Sequence, residues 1–210
     1  EGGVRKSYYN VSGVPTMVLN GRDHTYLAVT QEEIDENYNS IAFVDIRGAF
    51  KLDGNNININ IDVMPYTDLN NKRLFVTVNE KTTVENVEVV NGSNSEFHHI
   101  MMKMITGSQG ETINLTEGTQ QHFEYSYDMS TTFVEEINDL EVAVWIQDYE
   151  TKEVYNSRFL YEYTEHPYPV ENLTLNNINN DIEATWDAPS NGNPTGYNVF
   201  VNGDLTLENT

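Results

Sequence analysis

From Ala42 onward the apolar positions of this chain recur every second residue. Residues 42–52 and 58–64 alternate apolar and polar side chains, with Asp53, Gly54, Asn55 and Asn56 between them. That pattern predicts two strands joined by a hairpin loop. Further strand-like stretches lie at 73–80, 84–90, 97–105, 122–129, 140–148 and 154–163, separated by Gly, Asn, Asp and Ser. Short strands at such spacing predict a β-sandwich over residues 42–165.

The first 41 residues follow another rhythm. Residues 14–19 and 24–29 read as strands around Asn20-Gly21, the dipeptide that favours a tight hairpin because both central positions accept positive φ. Thr30 followed by Glu33 forms a capping-box signature. Ile34, Tyr38 and Ile41 then fall on one helical face. This is the only helix the pattern predicts. Near the other end, His166, Pro167, Tyr168 and Pro169 interrupt the alternation and mark a boundary at about residue 166. Three short strands are expected beyond it, with Trp186 on the second.

Composition narrows the function. Asp and Glu number 33 against 11 Lys and Arg, a formal charge of −22. Such a surface repels phosphate backbones, which argues against nucleic-acid binding. No run approaches the roughly 18 apolar residues of a membrane-spanning helix. The chain has no cysteine, so disulfides, thiolate metal sites and thiol chemistry are excluded within these residues. The opening residues, Glu1 to Asn10, read as the interior of a longer protein.

Candidate chemistry is sparse. His98 and His99 beside Met101, Met102 and Met104 offer soft copper ligands. In a strand, however, His98, Ile100, Met102 and Met104 share one face and His99, Met101 and Lys103 the other, so a packed apolar face is expected. Asp53, Asn55 and Asp62 are oxygen donors suited to calcium, and Asp187 offers a second weak calcium position. Neither set has EF-hand spacing, and no cofactor is expected. Nucleophile elbows, phosphate-binding loops and His-Glu-X-X-His motifs are absent from the sequence.

Three resemblances add to this reading. Gly13, Val14, Pro15 and Thr16, followed by strand, hairpin and capped helix, resemble the C-terminal part of a thioredoxin-like domain over residues 1–41. That resemblance implies a cis-proline at Pro15 and redox cysteines upstream of this sequence. His99, Lys103, Gly107, Gly110, Gln147 and Asp148 resemble the twenty-eight-kilodalton outer membrane protein family of Bacteroidota, in which a thioredoxin-like part precedes a β-rich domain. Lys103 stands where that family usually has arginine. Residues 166–210 resemble the opening of a fibronectin type III module, carried by Pro169, Leu173, Ile182, Trp186, Pro189, Gly196, Tyr197 and Val199.

The resemblances imply a mainly β, modular protein with an N-terminal α/β thioredoxin-like remnant. Its expected place is the cell exterior or outer-membrane surface, reached through type IX secretion. The expected role is non-catalytic adhesion or protein–protein interaction. Two alternatives remain open: the non-catalytic portion of a thiol–disulfide oxidoreductase, and a carbohydrate- or calcium-binding surface module.

Overall fold

The computed structural model describes residues 1–13, 16–24, 29–84, 96–162, 170–179, 181–190, 194, 196–197, 199–201 and 204–207. The first elements are α1 (Gly2–Tyr8), β1 (Met17–Leu19), β2 (Arg22–His24) and α2 (Gln31–Tyr38). The main sheet follows with β3 (Val44–Asp53), β4 (Asn56–Pro65), β5 (Leu69–Thr83) and β6 (Phe97–Met104). It continues through β7 (Glu111–Leu115), β8 (Gln121–Asp128), β9 (Leu140–Gln147) and β10 (Val154–Glu162). The last strands are β11 (Glu171–Ile178), β12 (Asp181–Asp187), β13 (Val199–Val201) and β14 (Asp204–Leu207). The protein is mainly β. The expected strand at 84–90 lies almost wholly outside the described residues.

Period-two burial builds the core. On β4, Ile57, Ile59, Ile61 and Val63 are buried, while Asn58, Asn60 and Asp62 between them are less so. Leu140, Val142, Val144 and Ile146 of β9 do the same, whereas on β5 Leu74, Val76 and Val78 are buried together with Phe75 and Thr77 on the other face. All of these buried side chains except Phe75 and Thr77 belong to one apolar cluster. Burial of so many β-branched and Leu side chains is the main force holding the sheet in this shape.

The sheet order is β6-β5-β9-β10-β3-β4-β8, with β7 beside β5. The two layers of the expected sandwich are therefore arms of one curled sheet. They join where β10 runs parallel to β3 for two pairs, Tyr161 with Ala49 and Glu162 with Phe50. Before that point side chains bridge the strands: Asn156 donates to the Val44 carbonyl at 2.7 Å and Arg158 to the Ile46 carbonyl at 3.3 Å. On the other side the curl brings β7 and β8 within reach. Tyr125 donates to Glu111 at 2.8 Å, and Gln121 donates to the Asn114 carbonyl at 2.8 Å.

The expected helix forms as α2. Glu33 N–H donates to Thr30 Oγ1 at 3.2 Å, and Thr30 N–H donates to Glu33 Oε2 at 2.8 Å, which completes the capping box. Asn20 and Gly21 both have positive φ, 48° and 81°, as the β1–β2 turn requires. A further helix, α1, was not expected. Its residues show no apolar stripe, and its stability comes from tertiary contacts described below.

By contact, the chain divides into two compact units, Glu1–Thr164 and Glu165–Thr210. In the second, β11 pairs with β12 and β13 with β14. Trp186 meets Tyr197 edge-on, with ring centroids 5.5 Å apart.

Candidate functional site

The outer face of β5 and β9 carries a cluster of aromatic and cationic groups. Phe75 and Trp145 are directly opposite in register, and their rings stack at 4.8 Å. The Arg5 guanidinium of α1 lies 4.5 Å from the Phe75 ring centroid and 4.8 Å from those of Tyr8 and Tyr9. Such placement gains cation–π attraction in a partly desolvated site. Tyr8 in turn stacks on Tyr149 at 4.6 Å. Burial pushes the Tyr8 phenol up to about 12.

Gln147 and Asp148 fasten this arrangement. Gln147 is fully buried. Its amide donates to Tyr9 Oη at 2.9 Å and to the Lys152 carbonyl at 2.8 Å. Asp148 caps the following turn, accepting from the N–H groups of Glu150 at 2.9 Å and Thr151 at 2.8 Å. Its other oxygen meets Lys72 Nζ at 2.5 Å. The Lys72 hydrogen bond, followed by that from Thr151 N–H, holds the Asp148 carboxyl down at about 2.

This shift has a measurable consequence. A carboxylate depressed in the folded state adds stability that is present above its unfolded value near 3.8 and is lost as pH falls toward 2. Asp148→Asn is expected to lower the urea midpoint at pH 7 and to flatten its pH dependence between 4 and 2. Parallel slopes for the two proteins in that window would refute the assignment.

Beside the clamp lies a half-open cleft of about 740 Å³ within the first unit. Its floor is the outer face of β9 and β10, including Ala143, Trp145, Tyr155, Ser157 and Phe159. Its wall is the N-terminal segment: Tyr9, Val18, Leu19, Asn20 and Gly21, then Ile34, Asn37 and Tyr38 of α2. Gly21 lets the hairpin close onto the sheet, because a Cβ there would fall 1.7 Å from the Lys152 carbonyl oxygen. No Asp or Glu lines the cleft among the described residues.

The residues singled out in the sequence are dispersed. Thr16 donates to the Gly13 carbonyl at 2.7 Å on an exposed turn, while Val14 and Pro15 lie outside the described residues. His99 adopts a positive φ of 56°, and the register of the β5–β6 pair shifts further along, between Met101 and Lys103. This bulge interrupts the strict alternation expected for residues 98–104, and His98 sits exposed instead of packing with Met102 and Met104. His99 shares a 2.7 Å hydrogen bond with Glu141. Lys103 pairs with Glu1 at 2.5 Å and lies over the Tyr127 ring at 5.3 Å.

Asp53 and Asn55 occupy the exposed β3–β4 turn. Asp62 is far along the same hairpin, paired in register with Arg47, and bonds to His122 at 2.9 Å. The first calcium set is therefore not brought together. Asp187 accepts from Asn172 at 2.7 Å. Trp186 and Pro189 are half-buried. Among the described residues no three His, Asp or Glu side chains converge to hold a metal ion.

The sequence reading missed the cleft aromatics and Arg5. Ser157 and Phe159 do recur at period two, a signal for one outward face, whereas Tyr155 sits at a register shift in β10 that the sequence does not announce. Nothing local distinguishes Arg5.

The sequence profile described as outer membrane protein Omp28 matches residues 4–158, more than half of the chain. The chain belongs to the Omp28 family. Its place is accordingly the outer-membrane surface. Among the described residues no helix is long and apolar enough to cross a membrane. None of the curated proteins matches the chain. In structure it is similar to HBP35 of Porphyromonas gingivalis, with a TM-score of 0.61 at 12% identity over 98% of this chain and 71% of that one. A domain of the outer membrane lipoprotein Omp28 from Porphyromonas gingivalis matches with a TM-score of 0.42 at 14% identity, over 60% of this chain and 93% of that one. At these identities the likeness concerns fold. The Omp28 match spans the clamp, most of the cleft and the sheet as far as the middle of β10, ending one residue before Phe159.

Proposed function

We propose that this Omp28 protein is a non-catalytic module of the outer-membrane surface that works through protein–protein contact. The observation that carries this reading is the apolar face of α2. Ile34, Tyr38 and the following Ile41 are 43%, 88% and 82% exposed, and α2 has no buried residue. A helix with such a stripe ordinarily buries it against a neighbour. Phe43 and Tyr161 are also exposed. Exposed apolar groups in this number suit a docking surface. The second unit, with Trp186 against Tyr197, supports a fibronectin-like module in the same modular protein, and type IX secretion is the export route this reading implies.

A second reading is favoured by one specific arrangement. Thr16, the β1–β2 hairpin and the capped α2 follow the order of a thioredoxin-like C-terminal part. The apolar face of α2 would then pack against a cysteine-bearing α/β body of the same polypeptide, making this chain the non-catalytic portion of a thiol–disulfide oxidoreductase.

Photo-crosslinking on intact cells separates the two. With Ile41→benzoyl-phenylalanine in the full-length protein, the first reading expects an adduct with a second polypeptide, absent when the probe replaces exposed Glu117. An adduct confined to a cysteine-bearing segment of the same polypeptide would establish the second reading instead. No adduct at position 41 would overturn both.

A further inference from the structure

We infer that the cleft between the N-terminal segment and the outer face of β9–β10 is a binding site for a neutral saccharide. The inference goes beyond the protein-contact reading: the cleft shares Ile34 and Tyr38 with the α2 stripe, and it is the floor residues Ser157 and Phe159, which lie outside that stripe, that carry its test.

Charge is the first argument. The chain carries 33 acidic residues, yet among the described residues none lines the cleft, and Arg158 is the one cation among the described lining residues. Arg158 is also engaged with the Ile46 carbonyl. A cationic ligand would find no carboxylate to pair with. An anionic ligand would have to approach a protein of net charge −22 for a single guanidinium. The lining therefore selects for an uncharged ligand.

The chemistry of the lining is the second. Aromatic rings from Tyr9, Tyr38, Trp145, Tyr155 and Phe159 surround the space. Between them stand the amide of Asn37 and the hydroxyls of Ser40 and Ser157, while the Asn156 amide is held by the Val44 carbonyl. A sugar ring has an apolar C–H face that stacks on an aromatic ring and an equatorial rim of hydroxyls that exchange hydrogen bonds with amides and hydroxyls. At Ser157, opposite Trp145 in register, and at Ala143, opposite Phe159, small side chains leave depth between the large rings. The volume of about 740 Å³ lies within the usual range for small-ligand sites.

Geometry removes the competing occupant. An extended peptide adding as a strand needs an open sheet edge. β9 is interior, flanked by β5 and β10, and along the cleft floor the β3 side of β10 is occupied by the bonds of Asn156 and Arg158 to the Val44 and Ile46 carbonyls. The floor offers faces of side chains, not free backbone groups.

Calorimetric titration with neutral hexasaccharides tests this: β-1,4-linked glucose, β-1,4-linked xylose, β-1,3-linked glucose and α-1,6-linked mannose. At least one is expected to bind with a Kd of about 1 mM or tighter, unchanged by added salt because no ion pair forms. Phe159→Ala removes a half-exposed ring and is expected to weaken binding by roughly fivefold or more. Ser157→Arg fills the floor from an exposed position and is expected to abolish it. Thermal melts matching the parent protein confirm that each variant is folded, and the two are read independently. The proposal is overturned if none of the four binds at millimolar concentration. It is also overturned if binding survives in every folded variant, collapses with salt, or is replaced by affinity for an apolar peptide alone.

Discussion

Ile59→Ala is expected to cost about 2–5 kcal/mol of unfolding free energy. Ile59 is fully buried in the middle of β4, within the apolar cluster shared by both arms of the sheet. Truncation removes three carbons from a packed interior, and its neighbours are strand residues pinned by hydrogen bonds to β3 and β8. They cannot collapse freely into the space, so a cavity adds to the lost transfer energy. One residue earlier, Asn58→Ala is expected to change stability by no more than ~0.5 kcal/mol, because that side chain points to the opposite face. Urea denaturation decides the matter, read as a shift in midpoint at constant slope. Equal effects at the two positions would mean that β4 is not inserted as described.

The second large effect concerns two glycines of one turn. Gly107 and Gly110 both have positive φ, 75° and 70°. At Gly107 a Cβ would meet nothing within 4 Å, so Gly107→Ala is expected to cost only about 1 kcal/mol, the backbone penalty alone. At Gly110 a Cβ would sit 2.9 Å from two carbons of the Phe75 ring and 3.1 Å from Arg73 Cβ. Phe75 cannot retreat, because Trp145 stacks against it and Arg5 covers it. Overpacking adds to the backbone strain, for a total of roughly 3 kcal/mol. For a unit of this size, calorimetry should show a Tm lowered by roughly 6–12 °C in Gly110→Ala and by roughly 2–4 °C in Gly107→Ala. Equal shifts would show that the Phe75 contact does not limit the turn.

Those two glycines illustrate how far sequence reasoning reaches. Both belong to the motif that carried the family resemblance, and both read as turn residues. Their backbone role was legible because positive φ is a local property. Their difference was not, because Phe75 lies 35 positions away along the chain. His99 shows the converse. Strand alternation placed it by period alone, and a bulge, which depends on pairing with β5, displaced the pattern. The capping box of Thr30 and Glu33 formed as expected, since both partners lie within one helical turn.

The sequence by itself determined the mainly β class, most of the strand positions, the β1–β2 turn and the cap of α2. Each depends on contacts within a few residues or on a burial period that any strand must obey. Tertiary structure alone decided that the two layers are one curled sheet, that α1 exists, and that a cleft opens beside it. Arg5 lies 70 residues before Phe75 and 140 before Trp145, and its guanidinium is held by rings that only β5–β9 pairing sets side by side. The cleft likewise joins residues 9–42 to residues 143–159. Such sites arise from the register of distant strands, and a local pattern carries no record of which strand will lie beside which.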